Sequence, residues 1–400
     1  MGQHLVLGLG GNVDYEIEWD STTLEGLIRT YALRASELAT SVVVESERDL
    51  VRSLLAFVRD GVGGERFVAY PEVIEAFAAR FGKRITLGGT GLRAALAMDK
   101  LGVASTVHLV SIDDHMRRLL PRGVSYMCSA PRASTHPHLV VQFAEGATVH
   151  AEDIDLRAHR SNRVIYVNDP ANAELVLDED LGLALSAADV FLISGLNSIS
   201  DEATLRTRLH DLAWHLRSLP STALVVYEEA GFHVPALSAL VRKAVLDRVD
   251  IYSMNEDEMQ AYVGRPVDLL DPDAMLSALR ELRAVVPART LVVHTRAWAL
   301  ATGERAQEMR SALQGGLVMS GARYVHGDDF TKADYQQVAR APANEAGRAF
   351  AVALEGCAPA EVCCVPALRL RTDLPTMIGL GDAFVGGFLA ALSRCRGEDS

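Results

Sequence analysis

Eight short β-branched runs recur along this 400-residue chain: HLVLGLGG (4–11), STVHLVSI (105–112), RVIYVND (163–169), DVFLISG (189–195), TALVVYEE (222–229), VDIYSMN (249–255), TLVVHT (290–295) and EVCCVPALRL (361–370). Several are apolar at nearly every position, the pattern of strands covered on both faces, as in a parallel sheet. Between two of them Leu205, Leu209, Leu212, Leu216 and Leu219 repeat at helical spacing and form one stripe. Strand and helix alternate over most of 160–400, which predicts an α/β fold with a doubly wound, mostly parallel sheet in three layers.

Two stretches break the rhythm. NVDYEIEWD (12–20) alternates polar and apolar residues, and HPHLVVQFAEGATVH (136–150) reads as a hairpin turning at Glu145-Gly146. Half-buried antiparallel strands inside an α/β chain predict a small sheet standing off the main domain as an inserted lid. ERDLVRSLLAFVRDG and PEVIEAFAARFG, between 46 and 82, read as amphipathic helices each ending at glycine. The expected division is a large domain from 1–12, 46–112 and 160–400, with the lid from 13–45 and 113–159.

A hydrophobic content of 49% is enough for a large core. The net charge of −13 disfavours nucleic-acid and anionic-membrane partners, which require basic surface. No apolar run reaches the roughly 18 residues of a membrane span. MGQHLVLGLGGNVD has neither a basic n-region nor a small-residue cleavage site, so no secretory signal is expected. The five cysteines contain no CxxC pair, and Cys363-Cys364 would point to opposite faces of a strand. They are expected to be buried and reduced, which places the chain in the cytoplasm.

Near the end, PTMIGLGDAFVGGFLAAL (375–392) sets Gly379-Leu380-Gly381-Asp382 before an apolar helix. Free N–H groups and the positive end of the dipole attract anions there, and a carboxylate in that turn can accept a proton from a hydroxyl. Aspartate is also an ordinary helix cap. In SMNEDEMQAYVG (253–264), Asn255 and Glu258 share the first helical turn, where they could organise Mg²⁺ and its waters or simply form a capping box. Tyr227, Glu228 and Glu229 end another strand, either at the ligand crevice of an α/β sheet or as solvated surface. GLGGNVD fails the dinucleotide fingerprint because Val13 occupies the third glycine position, but Asn12 and Asp14 suit sugar hydroxyls. LGGTGLRAALAMDKLG (87–102) offers a second glycine turn, at Gly88 and Gly89, for a polar ligand or as a tight turn alone.

Taken in order, these segments resemble the ADP-dependent glucokinase/phosphofructokinase family of the ribokinase-like superfamily. NVD, FVRDGVGGERFV, LGGTGLRAAL, NRVIYVNDPAN, LISGLN, MNEDE, VVHT and GLGD carry the resemblance over most of the chain. It implies a ribokinase-like fold with a β-sheet lid and a sugar kinase taking its phosphoryl group from ADP. It also implies Asp382 as base, the amides of Gly379, Leu380 and Gly381 as anion hole, and Asn255, Glu258 and Glu229 as organisers of Mg²⁺. Sugar would contact Asn12, Asp14, Gly88 and Gly89, with Arg163 or Lys100 available to a sugar phosphate. Tyr227 stands where the HxE motif of the family has histidine, Thr90 where asparagine is frequent, and Ala383 where threonine is common. The implied partners are a small sugar and a nucleotide, in a monomer or homodimer. An ATP-dependent relative and a non-catalytic binding protein are the alternative readings.

Overall fold

The structure is a computed structural model and describes residues 4–373 and 375–398. Among the described residues there are sixteen strands: β1 (Leu5–Leu7), β2 (Asn12–Ile17), β3 (Gly64–Phe67), β4 (Lys83–Gly88), β5 (Ser105–Leu109), β6 (Val124–Cys128), β7 (His138–Phe143), β8 (Thr148–Ala151), β9 (Ile154–Arg157), β10 (Asn162–Val167), β11 (Val190–Ile193), β12 (Leu224–Glu228), β13 (Ile251–Asn255), β14 (Thr290–His294), β15 (Trp298–Gly303) and β16 (Val362–Pro366). Nine make one sheet in the order β16-β15-β14-β13-β12-β11-β1-β5-β6. Pairing is parallel from β6 to β14 and antiparallel at β14–β15 and β15–β16.

Side-chain alternation sends the buried residues of this sheet to both faces. Leu192, Val226, Ile251 and Val292 pack on one side with Leu313, Phe384 and Leu389. Phe191, Val225, Tyr252 and Leu291 pack on the other with Leu205, Leu212, Leu279 and Leu354. Each fully buried aliphatic or aromatic side chain contributes about 1.5–3 kcal/mol, so the layers are held by apolar burial rather than by ladder hydrogen bonds alone. The α/β, three-layer expectation holds. Cys363 and Cys364 are buried on opposite faces as their adjacency requires, whereas Cys357 is exposed. The side chain of Cys395 lies outside the described residues.

A second sheet has the order β3-β10-β7-β2-β4. Val13, Tyr15, Leu139, Val141, Val164 and Tyr166 are buried on one of its faces. They join a cluster with residues of α1 (Ser21–Thr30), α2 (Glu47–Asp60) and α3 (Pro71–Ala78). Register places Asp14, Glu16, Gln142 and Arg163 together on the other face.

Sheet membership departs from the expected division. β3, β4 and β10 fall within the spans assigned to the large domain, yet they pair in the five-stranded sheet. In β10 the reason is alternation: Val164 and Tyr166 are buried while Arg163 and Ile165 are half-buried, so one face stays open. β6, inside the expected lid, is an edge strand of the large sheet against β5. The hairpin at 136–150 does not form either. β7 lies between β10 and β2, while β8 leaves at Gly146 to pair with β9. α2 ends at Gly61 in a left-handed cap, but α3 stops at Ala79, three residues before Gly82. No described helix is long and apolar enough to cross a membrane.

Candidate active site

The turn at 379–382 opens the helix Leu380–Glu398, whose apolar face is clamped between α4 (Thr90–Asp99) and the helix Arg310–His326. Gly379 has φ +63°, and a Cβ there would stand 2.5 Å from Arg93 Nη1, so glycine is required for both conformation and space. Ala383 N donates to Gly379 O at 3.0 Å, closing the first turn and leaving the amides ahead of it free for a ligand. Asp382 is 23% exposed and its Oδ2 lies 3.9 Å from Arg93 Nε.

Arg93 connects this turn to the sugar-binding candidates. Its Nη2 donates to Asp14 Oδ2 at 2.6 Å and reaches Glu16 Oε1 at 3.4 Å, while Asn12 Nδ2 donates to Asp14 Oδ1 at 2.5 Å. Gly88 is hemmed in by the same groups, since a Cβ would lie 2.5 Å from Asn12 Nδ2 and 2.6 Å from Asp14 Oδ2. Gly89, at φ +91°, packs on Gly11, which the Asn172 side chain holds through both its N–H and its carbonyl. Asn12, Asp14, Gly88 and Gly89 are therefore brought together, and Arg93 joins them to Asp382. Burial works against the Arg93 charge, but Asp14, Asp382 and Glu16 outweigh it and hold its pKa above the usual value. Arg163, on the open face of the small sheet, is pulled below the ordinary arginine range by burial, with Asp382 opposing that shift and Arg93 adding to it.

On the far side of the turn, Asn255 and Glu258 form the full capping box of the helix Glu256–Val263. Asn255 Oδ1 accepts from Asp257 N and Glu258 N at 2.8 and 3.0 Å, and Glu258 Oε2 accepts from Asn255 N at 2.9 Å. The cap and a ligand role are compatible: burial first, then the neighbouring Glu228, push the Glu258 carboxyl up to about 9.

Glu229 does not complete this side. It turns to the opposite face of the strand end, where it accepts from Tyr252 Oη at 2.5 Å, Tyr227 Oη at 3.3 Å, Ala230 N at 3.1 Å and Tyr262 Oη. Alternation along β12 instead aims Glu228 at the site. Glu228 Oε1 lies 2.9 Å from His294 Nε2, and its buried Oε2 has no partner. His294 stacks on Phe384 with ring centroids 4.4 Å apart and abuts Gly381. Sequence reasoning singled out Glu228 only alongside Glu229 at the end of its strand and gave it no metal role, and it did not single out His294. The resemblance put the metal role on Glu229 through the HxE motif, whereas the neighbouring Glu228 is the glutamate paired with His294. Among the described residues no trio of His, Cys, Asp or Glu could hold a metal unaided. Mg²⁺ keeps waters and phosphate oxygens in its shell, so the unpartnered oxygen of Glu228 and the neighbouring Glu258 carboxyl suit it.

A family profile described as the ADP-specific phosphofructokinase/glucokinase conserved region matches residues 3–387. The chain belongs to that family. Membership makes it a sugar kinase, a phosphotransferase using ADP. A sequence search of curated proteins found no match. Among solved structures, a phosphofructokinase from Pyrococcus horikoshii OT3 with AMP is 16% identical, with 100% of each chain covered and a TM-score of 0.79. An ADP-dependent kinase in complex with fructose-6-phosphate and ADPβS is 14% identical over 98% of this chain and 94% of that one, at a TM-score of 0.71. Adenosine kinase from Sinorhizobium meliloti, 14% identical over 98% and 88%, gives 0.53. At these identities the likeness concerns the fold, and it is ribokinase-like with a small extra sheet.

Proposed function

We propose that the protein transfers the terminal phosphoryl group of ADP to a hydroxyl of a hexose phosphate of the fructose 6-phosphate type. The observation that carries this reading is Arg163. It lies on the open face of the small sheet close enough to feel the charge of Asp382, and its guanidinium has no ion-pair or hydrogen-bond partner among the described residues. A half-buried arginine without a counter-ion suits a phosphate, which guanidinium binds through two parallel hydrogen bonds. Glucose, the other expected acceptor, would leave it unpaired. The fructose-6-phosphate and ADPβS bound to the kinase of like fold support the same pairing of acceptor and donor.

In this reading the acceptor hydroxyl attacks the terminal phosphorus of ADP as its proton passes to Asp382. The new P–O bond forms, the bond to the α-phosphate oxygen breaks, and AMP leaves. The N–H groups of Gly379, Leu380 and Gly381 stabilise the charge on the transferring group, so the protein works by positioning and electrostatics. Asn12, Asp14 and the Gly88–Gly89 backbone hold the sugar. Mg²⁺ would be held through Glu228 and Glu258, the latter oriented by Asn255, and would supply charge neutralisation for the nucleotide phosphates. Glu229 has no part in this. The five-stranded sheet serves as the lid: Met377 N donates to Gln142 Oε1 at 3.1 Å, so its open face already meets the segment leading to the transfer turn. Closure there excludes water that would otherwise take the phosphoryl group. A cytoplasmic setting accords with the free Cys128, Cys357, Cys363 and Cys364.

Arg163→Met tests the acceptor assignment. Losing a charge-assisted contact to the sugar phosphate should raise KM for fructose 6-phosphate about 10- to 100-fold while KM for ADP stays constant. An unchanged KM for fructose 6-phosphate would contradict it.

A further inference from the structure

Arg93 is a buried cation with three carboxylates around its guanidinium, and its place in the fold is specific. It sits one turn into α4, its N–H donating to Gly89 O at 2.9 Å, so the helix that begins at the sugar turn carries it. Its guanidinium reaches Asp14 and Glu16 on β2 of the small sheet and, at 3.9 Å, Asp382 on the helix that follows the transfer turn. These three carboxylates come from two separate elements, the small-sheet strand β2 and the helix after the transfer turn, and only 4% of the Arg93 side chain is exposed. Nη1 has no partner and lies under Gly379. A cavity of ≈ 20 Å³ beside it, lined by Lys100, Arg323, Asp328 and Ala383 among others, has room for about one water.

A buried arginine is not needed to hold α4 in place, because Leu92, Ala94, Ala95 and Met98 of that helix are fully buried in the core. Its hydrogen bonds go instead to Asp14, read here as a sugar ligand, and to Glu16, and its ion pair at 3.9 Å reaches Asp382, read here as the base. We propose that Arg93 is a positioning residue for phosphoryl transfer, setting Asp14 toward the sugar and Asp382 toward the attacking hydroxyl, and so tying the small sheet to the transfer turn. This rests on the proposed roles of Asp14 and Asp382. With the arginine gone, Asp14 keeps Asn12 as a partner, but Asp382 and Asp14 lose their common reference, and a displacement near 1 Å at a reacting centre costs about a hundredfold in rate.

The test compares wild type with Arg93→Met, Arg93→Lys and Arg93→Ala, each checked by thermal melt and circular dichroism. The expected result is a loss of about a hundredfold in kcat/KM for fructose 6-phosphate in Arg93→Met, with KM for ADP within about twofold of wild type. Guanidinium ion added at millimolar concentration should restore at least about tenfold in Arg93→Ala, where space is opened, and nothing in Arg93→Met, where the side chain fills it. Wild-type kcat/KM in Arg93→Met, or a loss in Arg93→Ala that guanidinium does not relieve, overturns the proposal. Should both uncharged variants fail to fold, Arg93→Lys decides. It keeps the charge but loses the fork, so a raised KM for the sugar supports the inference and wild-type kinetics contradicts it. If the wild type itself shows no turnover, the functional reading fails separately. Calorimetric affinity for fructose 6-phosphate, weakened by Arg93→Met or not, then still judges Arg93.

Discussion

His294 Nε2 and Glu228 Oε1 lie 2.9 Å apart, and this pair joins the two halves of the site. The imidazole rests against Gly381 of the transfer turn and Phe384 of the helix that follows, while the charge of Glu228 helps to raise the pKa of Glu258 after burial. The second oxygen of Glu228 is buried and has no hydrogen-bond partner among the described residues.

Neighbouring glutamates should therefore behave in opposite ways. Glu228→Gln is expected to raise the Mg²⁺ concentration for half-maximal activity at least about tenfold, with little change in melting temperature. Glu229→Gln leaves tyrosine hydroxyls facing a weaker acceptor and should cost about 1–3 kcal/mol of stability with Mg²⁺ dependence unchanged. Titrations of activity with Mg²⁺, alongside denaturation curves, separate the two. The reverse pattern would return Glu229 to the site.

Asp382→Asn retains shape and helix-capping ability but cannot accept the hydroxyl proton. Turnover should fall about 10²- to 10⁴-fold with the melting temperature preserved. Near-wild-type activity in steady-state assays would remove Asp382 from the role of base.

Burial lowers the pKa of His108 to about 4, with Asp178 opposing the shift weakly, and the ring accepts from Asp178 N through Nε2. The folded pKa lies below the unfolded value of 6.5, so between those values the unfolded chain binds more protons. The resulting stability is complete above pH 6.5 and is lost as pH falls toward 4, with a slope approaching about 1.4 kcal/mol per pH unit. His108→Gln keeps an acceptor for Asp178 N without a titrating group. Its denaturation free energy should fall less steeply over that window than that of wild type, and equal slopes would contradict the assignment.

The parts of this protein that the chain reveals are those where one physical demand governs a run of residues. TALVVYEE and TLVVHT read as central parallel strands because both faces are covered, and β12 and β14 are central. RVIYVND misled because its alternation is that of a half-open sheet, although its apolar content matches the buried runs. WALATG, which forms β15, is small and weakly branched and gives little strand signal. Asn12, Asp14, Gly88, Gly89 and Asp382 stood out because glycine turns and short polar residues at strand ends have few other uses. Arg93 did not, since an arginine in a helix ordinarily lies at the surface; its burial follows from where Asp14 and Asp382 meet in space. Glu228 was named beside Glu229, and only strand alternation, which turns neighbouring side chains to opposite faces, separates the two.

The central claim is ADP-driven transfer to a hexose phosphate, and one measurement bears on it most directly. Purified protein is offered ADP or ATP, each with fructose 6-phosphate or glucose, with and without Mg²⁺, and AMP or ADP release is followed. The account predicts Mg²⁺-dependent formation of AMP and a sugar bisphosphate from ADP with fructose 6-phosphate, well above every other combination. Turnover with ATP alone, or with glucose and not fructose 6-phosphate, would contradict it.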